Sequence, residues 1–162
     1  MRIAVSACLL GEACRYDGRS KPCARVQELA ALGHELVPIC PEVAGGLPTP
    51  RTPCEIVQAP WMESGEARMA DEHAWTILDA SSTDRTAAYA RGAQAELARA
   101  KEAGCELAIL KAKSPSCGSG EVYDGTFSGT LVPGWGIAAA AFRDAGITVI
   151  DETADFSRLS RM

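Results

Sequence analysis

An α/β fold, a single Rossmann-like domain with a mainly parallel sheet of four or five strands flanked by helices, is what this chain predicts from three observations. Four short apolar runs, Ile3–Cys8, Glu35–Cys40, Leu107–Leu110 and Ile147–Ile150, alternate with helical stretches, and β-α-β order implies right-handed crossovers to parallel neighbours. A composition 47% hydrophobic and 23% charged is that of a globular chain with its own core. Three of the seven cysteines sit at the ends of those runs or just beyond, Cys8 closing IAVSAC, Cys40 closing ELVPIC and Cys117 in the Gly-rich loop after LAIL.

The elements follow in order. Ile3–Cys8 is apolar and partly β-branched, a buried first strand. Leu9–Gly18 carries Gly11, Asp17 and Gly18 and reads as loop and turn. Ser20 as cap, Pro22 in the first turn and Gly33 as the stop bracket a helix whose Val26, Leu29 and Ala30 share one face. Glu35–Cys40 is the second strand. The segment Pro41–Pro53 holds four prolines and two glycines, which predicts a loop rather than a helix or a central strand. Glu55–Val57 adds a short strand, and Pro60–Ser82 is weakly patterned. Thr83–Ala103 is the strongest helical stretch, with Tyr89, Ala93, Leu97 and Ala100 along one face and Gly104 as its stop. Leu107–Leu110 is the third buried strand, Lys111–Gly129 reads as loop, and Gly136–Ala145 is an alanine-rich helix stopped by Gly146. Ile147–Ile150 makes the last strand, and 153–162 is expected to be a peripheral tail of one domain spanning 1–162.

The formal net charge of −5 and a pI near 5.1 favour a small neutral substrate over a polyanion held by counterion release. The apolar stretch from Ile3 to Gly11 is too short to span a bilayer and lacks a signal-peptide cleavage context, so the expected location is cytoplasmic, with no membrane partner. In a reducing compartment, scattered cysteines bind metal, catalyse or pack rather than form a disulfide framework. Neither His34 nor His73 has a second histidine or an acid at ligand spacing. The glycine runs match no dinucleotide or P-loop fingerprint.

Parallel strands put their carboxyl ends along a single crevice, where open α/β folds bind ligands. Three thiols meeting there make a soft metal or cluster site with one coordination position left open, as a catalyst requires. A lone cysteine is also a small hydrophobe, and for Cys8 and Cys40 the residues leave both readings open. Cys117 lies among Ser, Pro and Gly, where backbone amides are expected to donate to a thiolate or to inorganic sulfide. Cys23, Cys54 and Cys105 read as packing residues, and no CxxC pair supports a zinc ribbon. Lys111 and Lys113 are placed to balance thiolate charge, Arg15 to pair with Asp17, and Tyr123 with Phe127 to stack on a planar ligand.

SACLLG and CRYDG within 6–18, CPEVAGGLPTPR at 40–51, YARGA at 89–93, ILKAKSPSCG at 109–118 and YDGTFSG at 123–129 closely resemble the thiouracil desulfidase family, over about Ile3–Glu152. The resemblance implies a [4Fe-4S] cluster held by only three cysteines and removal of sulfur from thiolated pyrimidines without net redox change. Carried onto this chain, the ligands are Cys8, Cys40 and Cys117, with Cys14 as the alternative ligand or a neighbouring thiol. Glu42 becomes the base that activates water, and Ser114 the hydroxyl that relays a proton. Ser116 is the alternative to Ser114 and, with Tyr123, a substrate contact. The implied partner is a small-molecule thiolated pyrimidine, a base or nucleoside of the 2-thiouracil or 4-thiouracil type. Thiolated uridine in transfer RNA is an alternative that the acidic charge disfavours, and a non-catalytic cluster or sulfide carrier is another.

Overall fold

Side-chain alternation in β1 (Arg2–Ser6) sets the layers. Ile3 and Val5 pack into one apolar cluster and Ala4 into another, all three with no exposed surface, as a central strand buried on both faces requires. The computed structural model describes residues 1–58 and 75–161. In it β1 lies between β2 (Glu35–Ile39) and β5 (Leu107–Leu110), and β8 (Thr148–Asp151) closes a four-stranded sheet of order β2-β1-β5-β8. Every pairing in that sheet is parallel, with Ala4 opposite Val37 and Ala108. Pro38 is tolerated in β2 because this is an edge strand.

On one face α3 (Thr86–Glu102) and α4 (Ile137–Asp144) bury Leu97, Ala100, Ala139 and Phe142 against Ala4, Ala108 and Leu110. On the other, α1 (Ala24–Ala31) contributes Val26 and Leu29 against Ile3, Val5 and Ile109. Ala30, expected on that inner face, is exposed. The α1 helix begins after Cys23, with no side-chain cap, so Ser20 and Pro22 precede it. The C-terminal segment is no peripheral tail. Phe156 is 5% exposed and fills the α1 face of the sheet; Arg25 lies over its ring and donates to the Ala154 carbonyl, while the buried His34 bonds the Leu159 carbonyl.

Three departures from the sequence reading shape the ligand-binding end. The proline-rich segment opens with a helical turn, α2 (Pro41–Ala44), because Pro41 occupies the first helical position, where its missing N–H costs nothing. The short strand expected at Glu55–Val57 is β3 (Cys54–Gln58), and it pairs antiparallel with β4 (Trp75–Asp79) in a ribbon apart from the main sheet. Of the weakly patterned stretch Pro60–Ser82, residues 60–74 lie outside the described residues. The Gly-rich region after β5 contains a hairpin, β6 (Ser119–Tyr123) and β7 (Leu131–Trp135). Both ribbons pack on α3 and α4 through Ile56, Ile77, Val122, Tyr89, Ala93 and Ile137.

The contact that fixes α2 is backbone against backbone. A Cβ at Gly92 of α3 would lie 1.7 Å from the Pro41 carbonyl oxygen, and one at Gly45 would lie 2.0 Å from the Ala88 carbonyl oxygen. Gly92→Ala therefore cannot be absorbed by turning a side chain. Alanine gains about 1 kcal/mol of helix propensity over glycine, while overpacking costs about 1–3 kcal/mol, at the upper end where the groups that must move are backbone. The expected result is net destabilisation of about 2 kcal/mol, read as a lower urea midpoint at unchanged slope.

Candidate metal and active site

Chain order reverses across β1, with β2 on one side and β5 on the other, so the crevice at these strand ends is a topological switch point. A cavity of about 470 Å³ opens there. Ser6, the last residue of β1, is buried, and its hydroxyl accepts the Lys111 N–H at 2.9 Å, tying the ends of β1 and β5 together.

Cys8, Cys14, Cys40, Cys54 and Cys117 all line this cavity, together with Glu42. β1 stops short of Cys8, and Ala7–Leu10 winds into a single 3-10 turn closed by Gly11 at φ 103°. That left-handed conformation favours glycine, and the turn leaves Cys8 7% exposed. Cys14 follows on a loop whose position Arg51 fixes, one guanidinium nitrogen donating to the Cys14 carbonyl at 2.9 Å. The Cys14 thiol shares the cavity wall with Cys8 and Cys40. Cys40 caps α2, its N–H donating to the buried Glu96 carboxylate at 3.5 Å. Its Sγ stands 3.8 Å from Glu42 Oε2 and 3.9 Å from the Cys14 carbonyl. Cys117 is 4% exposed on the loop after β5.

The electrostatics are those of acids crowded together away from water. Contact with Cys40 lowers the Cys14 thiol, but its hydrogen bond to Cys8, burial and the neighbouring acids outweigh this and push it up to about 11. The Cys40 thiol is raised by its bond with Cys14, by burial and by the Glu42 charge. Burial, followed by the Glu42 charge, raises Cys117. Glu42 is itself raised by burial, and Arg51 draws it partly back. Coordination reverses this logic, because a bound cationic centre takes thiols as thiolates and releases their protons.

The donor set fits a sulfide cluster better than a lone ion. Among the described residues no three His, Cys, Asp or Glu side chains converge closely enough to hold one metal ion. The thiols instead ring a single cavity, and a polynuclear cluster is wide enough to accept thiolates set further apart.

The loop at Cys117 departs from expectation. Its amides do not point at a thiolate: the Ser116 and Cys117 N–H groups donate to Ser114 Oγ at 3.1 and 3.0 Å, and the Gly118 N–H to the Ser114 carbonyl at 2.8 Å. Ser114 lines the cavity and staples the loop. Its hydroxyl accepts both bonds, so its own proton remains available. Ser116 lies behind the wall, 1% exposed and outside the cavity lining. Its carbonyl accepts the Ala138 and Ala139 N–H groups at the start of α4. Among the described residues its hydroxyl makes no well-formed hydrogen bond, and the Cys117 thiol stands near enough to feel it. Ser116, expected as a substrate contact, is thus a buried residue of this loop beside the lining Cys117.

Tyr123 and Phe127 do reach the cavity. Their loop is ordered by Glu55, 8% exposed, whose carboxylate accepts the Gly125 and Phe127 N–H groups at 3.0 and 3.2 Å. Lys111 is committed to Glu152 at 2.6 Å, and Arg15 stands 4.0 Å from Asp17. Tyr89, Cys54 and Arg51, to which the sequence gives no part in the site, also line the cavity. Two of them lay inside recognised motifs, YARGA and CPEVAGGLPTPR, and that was the available signal.

A family model described as 2-thiouracil desulfurase matches residues 3–154. The uncharacterized protein YbbK of Bacillus subtilis (strain 168) is 41% identical over 152 residues, covering 93% of this chain and 95% of that protein. A solved structure described as the [4Fe-4S]-dependent thiouracil desulfidase TudS is 41% identical and similar at a TM-score of 0.78, over 94% of this chain and 91% of that one. With a match that spans nearly its whole length and a relative at this identity, the chain belongs to the 2-thiouracil desulfurase family.

Proposed function

We propose that this protein is a [4Fe-4S]-dependent desulfidase of thiolated pyrimidine bases or nucleosides, exchanging thiocarbonyl sulfur for a water oxygen and releasing sulfide. The observation that carries the reading is the convergence of Cys8, Cys14, Cys40 and Cys117 with Glu42 on one cavity. The description of TudS as [4Fe-4S]-dependent, at 41% identity, supports it. Cys8, Cys40 and Cys117 would hold the cluster. Bound by three thiolates, it supplies a Lewis-acidic iron to a soft thiocarbonyl sulfur.

The chain's own groups supply the rest. Glu42, ionised, takes a proton from the water that attacks the thiocarbonyl carbon. Ser114 offers its hydroxyl proton to the ring nitrogen or the tetrahedral centre, and Tyr123 provides an aromatic wall for the base. The carbon–oxygen bond forms, the carbon–sulfur bond breaks with its electron pair on sulfur, and two water protons leave with the sulfide, so no electron donor or acceptor is needed.

Anaerobic reconstitution tests this. Iron and acid-labile sulfide are quantified, then 2-thiouracil, 4-thiouracil, 4-thiouridine and thiolated transfer RNA are added separately. Thiocarbonyl absorbance is expected to fall with matching sulfide release on the free bases or the nucleoside. A colourless zinc protein refutes the cluster, and an intact cluster without turnover favours a carrier.

A further inference from the structure

Tyr89 lies in YARGA, a motif to which neither the cluster nor the water attack gives a role. The residue is 3% exposed, yet its side chain lines the cavity. Among the described residues its hydroxyl makes no well-formed hydrogen bond to oxygen or nitrogen; the Cys54 thiol stands near enough for each to shift the other, and the Cys54 Sγ is 3.6 Å from the Thr52 carbonyl. Sulfur is a weak acceptor and a phenol a strong donor. A buried tyrosine hydroxyl ordinarily finds a better partner, and a polar group of a bound ligand in the cavity would supply one.

We propose that the Tyr89 hydroxyl binds substrate, donating a hydrogen bond to a ring carbonyl oxygen and so selecting thiolated pyrimidines that carry an oxo group as well as the thiocarbonyl. The inference rests on the desulfidase reading above and deepens it. An oxo oxygen is a far better acceptor for a phenol than a thiocarbonyl sulfur, which leaves the sulfur to the thiol-lined side of the site. The phenol keeps its proton because burial and the Glu42 charge both oppose ionisation, so it acts as a neutral donor. Its position is rigid. Gly92, one turn along α3, presses on the Pro41 carbonyl, and Ala88 presses on Gly45, which locks Tyr89 to the helix that carries Glu42. A binding group held on packed helices in this way is pre-organised for its ligand.

The test compares 2-thiouracil with pyrimidine-2-thione, which has the same thiocarbonyl and no oxo group, in the wild type and in Tyr89→Phe, both loaded with cluster. Uracil affinity is measured calorimetrically on loaded and cluster-free protein, and iron content and circular dichroism report integrity. The wild type is expected to prefer 2-thiouracil in kcat/KM by about 10- to 100-fold, the range for one hydrogen bond in a site built to make it. In Tyr89→Phe the two thiones become equivalent through loss on 2-thiouracil, and uracil binding weakens about 10-fold or more at unchanged iron content. Equal loss on both thiones, or unchanged uracil affinity, overturns the proposal. If Tyr89→Phe does not fold, equal wild-type kcat/KM on the two thiones still overturns it. Wild type with a full cluster that turns over neither thione, nor 4-thiouracil or 4-thiouridine, refutes the desulfidase reading, and the uracil measurement then decides Tyr89 separately.

Discussion

Single replacement of Cys8, Cys40 or Cys117 by Ala is expected to abolish the cluster, iron falling from about four per chain to near none. The same change at Cys23 or Cys105 should leave it intact. These two thiols lie away from the cavity: Cys105 packs with Ala108, Phe142 and Ile147 in the α3–α4 cluster, and Cys23 precedes α1 with its N–H on the Leu9 carbonyl. Removing one of three ligands leaves two, too few to hold four irons against exchange into solvent, so the effect is all or none rather than graded. Cys14 is the discriminating control, since it lines the cavity with Cys8 and Cys40 and its carbonyl stands 3.9 Å from the Cys40 Sγ. Under the present assignment Cys14→Ala keeps the iron. A cluster that survives Cys40→Ala and dies with Cys14→Ala reassigns the second ligand. Iron, acid-labile sulfide and the visible absorption of the purified variants settle the matter without any turnover assay.

What the sequence made legible was what depends on long apolar periodicity. The runs that became β1 and β5 are buried and the edge strands β2 and β8 partly so, Gly33, Gly104 and Gly146 precede β2, β5 and β8, and α3 carries a stripe from Tyr89 to Ala100, so local pattern and global fold agree. Their strand ends put Cys8, Cys40 and Cys117 at one place. What escaped depends on position within a segment rather than on its composition. Four prolines argued against any helix in 41–53, yet Pro41 alone decides α2, because it falls where proline is harmless. The β6–β7 hairpin is built from SGEVY and LVPGW, whose glycines and proline interrupt the strand formers Val, Tyr and Trp, and Val122 packs with Tyr89, Ala93, Ile137 and Ala138 of α3 and α4. In β4 the WTILD alternation is real, every second residue buried, but it is too short to stand out beside 59–74. Tyr89 was hidden for another reason: its stripe position marks it as core, and the same position puts its hydroxyl at the cavity wall.

Glu42→Gln should keep the fold and the full iron content while kcat falls by about 10²- to 10⁴-fold, the usual contribution of a positioned general base. The substitution is nearly isosteric, and α2 is fixed by main-chain contacts at Gly45 and Gly92 rather than by this side chain, so loss of turnover would not reflect displacement of Cys40. The pH profile supplies a second sign. Burial lifts the Glu42 carboxyl above its ordinary range, with Arg51 drawing it partly back. A base works only when ionised, so kcat/KM should fall as pH drops through this raised pKa, and the acid limb should sit above the ordinary carboxylate range. Glu42→Gln should lack that limb. Arg51→Ala should move it further up, since the guanidinium that stabilises the ionised form is gone, although that variant also frees the Cys14 carbonyl and must be shown to hold its iron. Undiminished activity in Glu42→Gln at full cluster occupancy would transfer the base role elsewhere on the cavity wall. Among the lining residues the remaining carboxyl is Glu55, and it is already spent on the Gly125 and Phe127 amides.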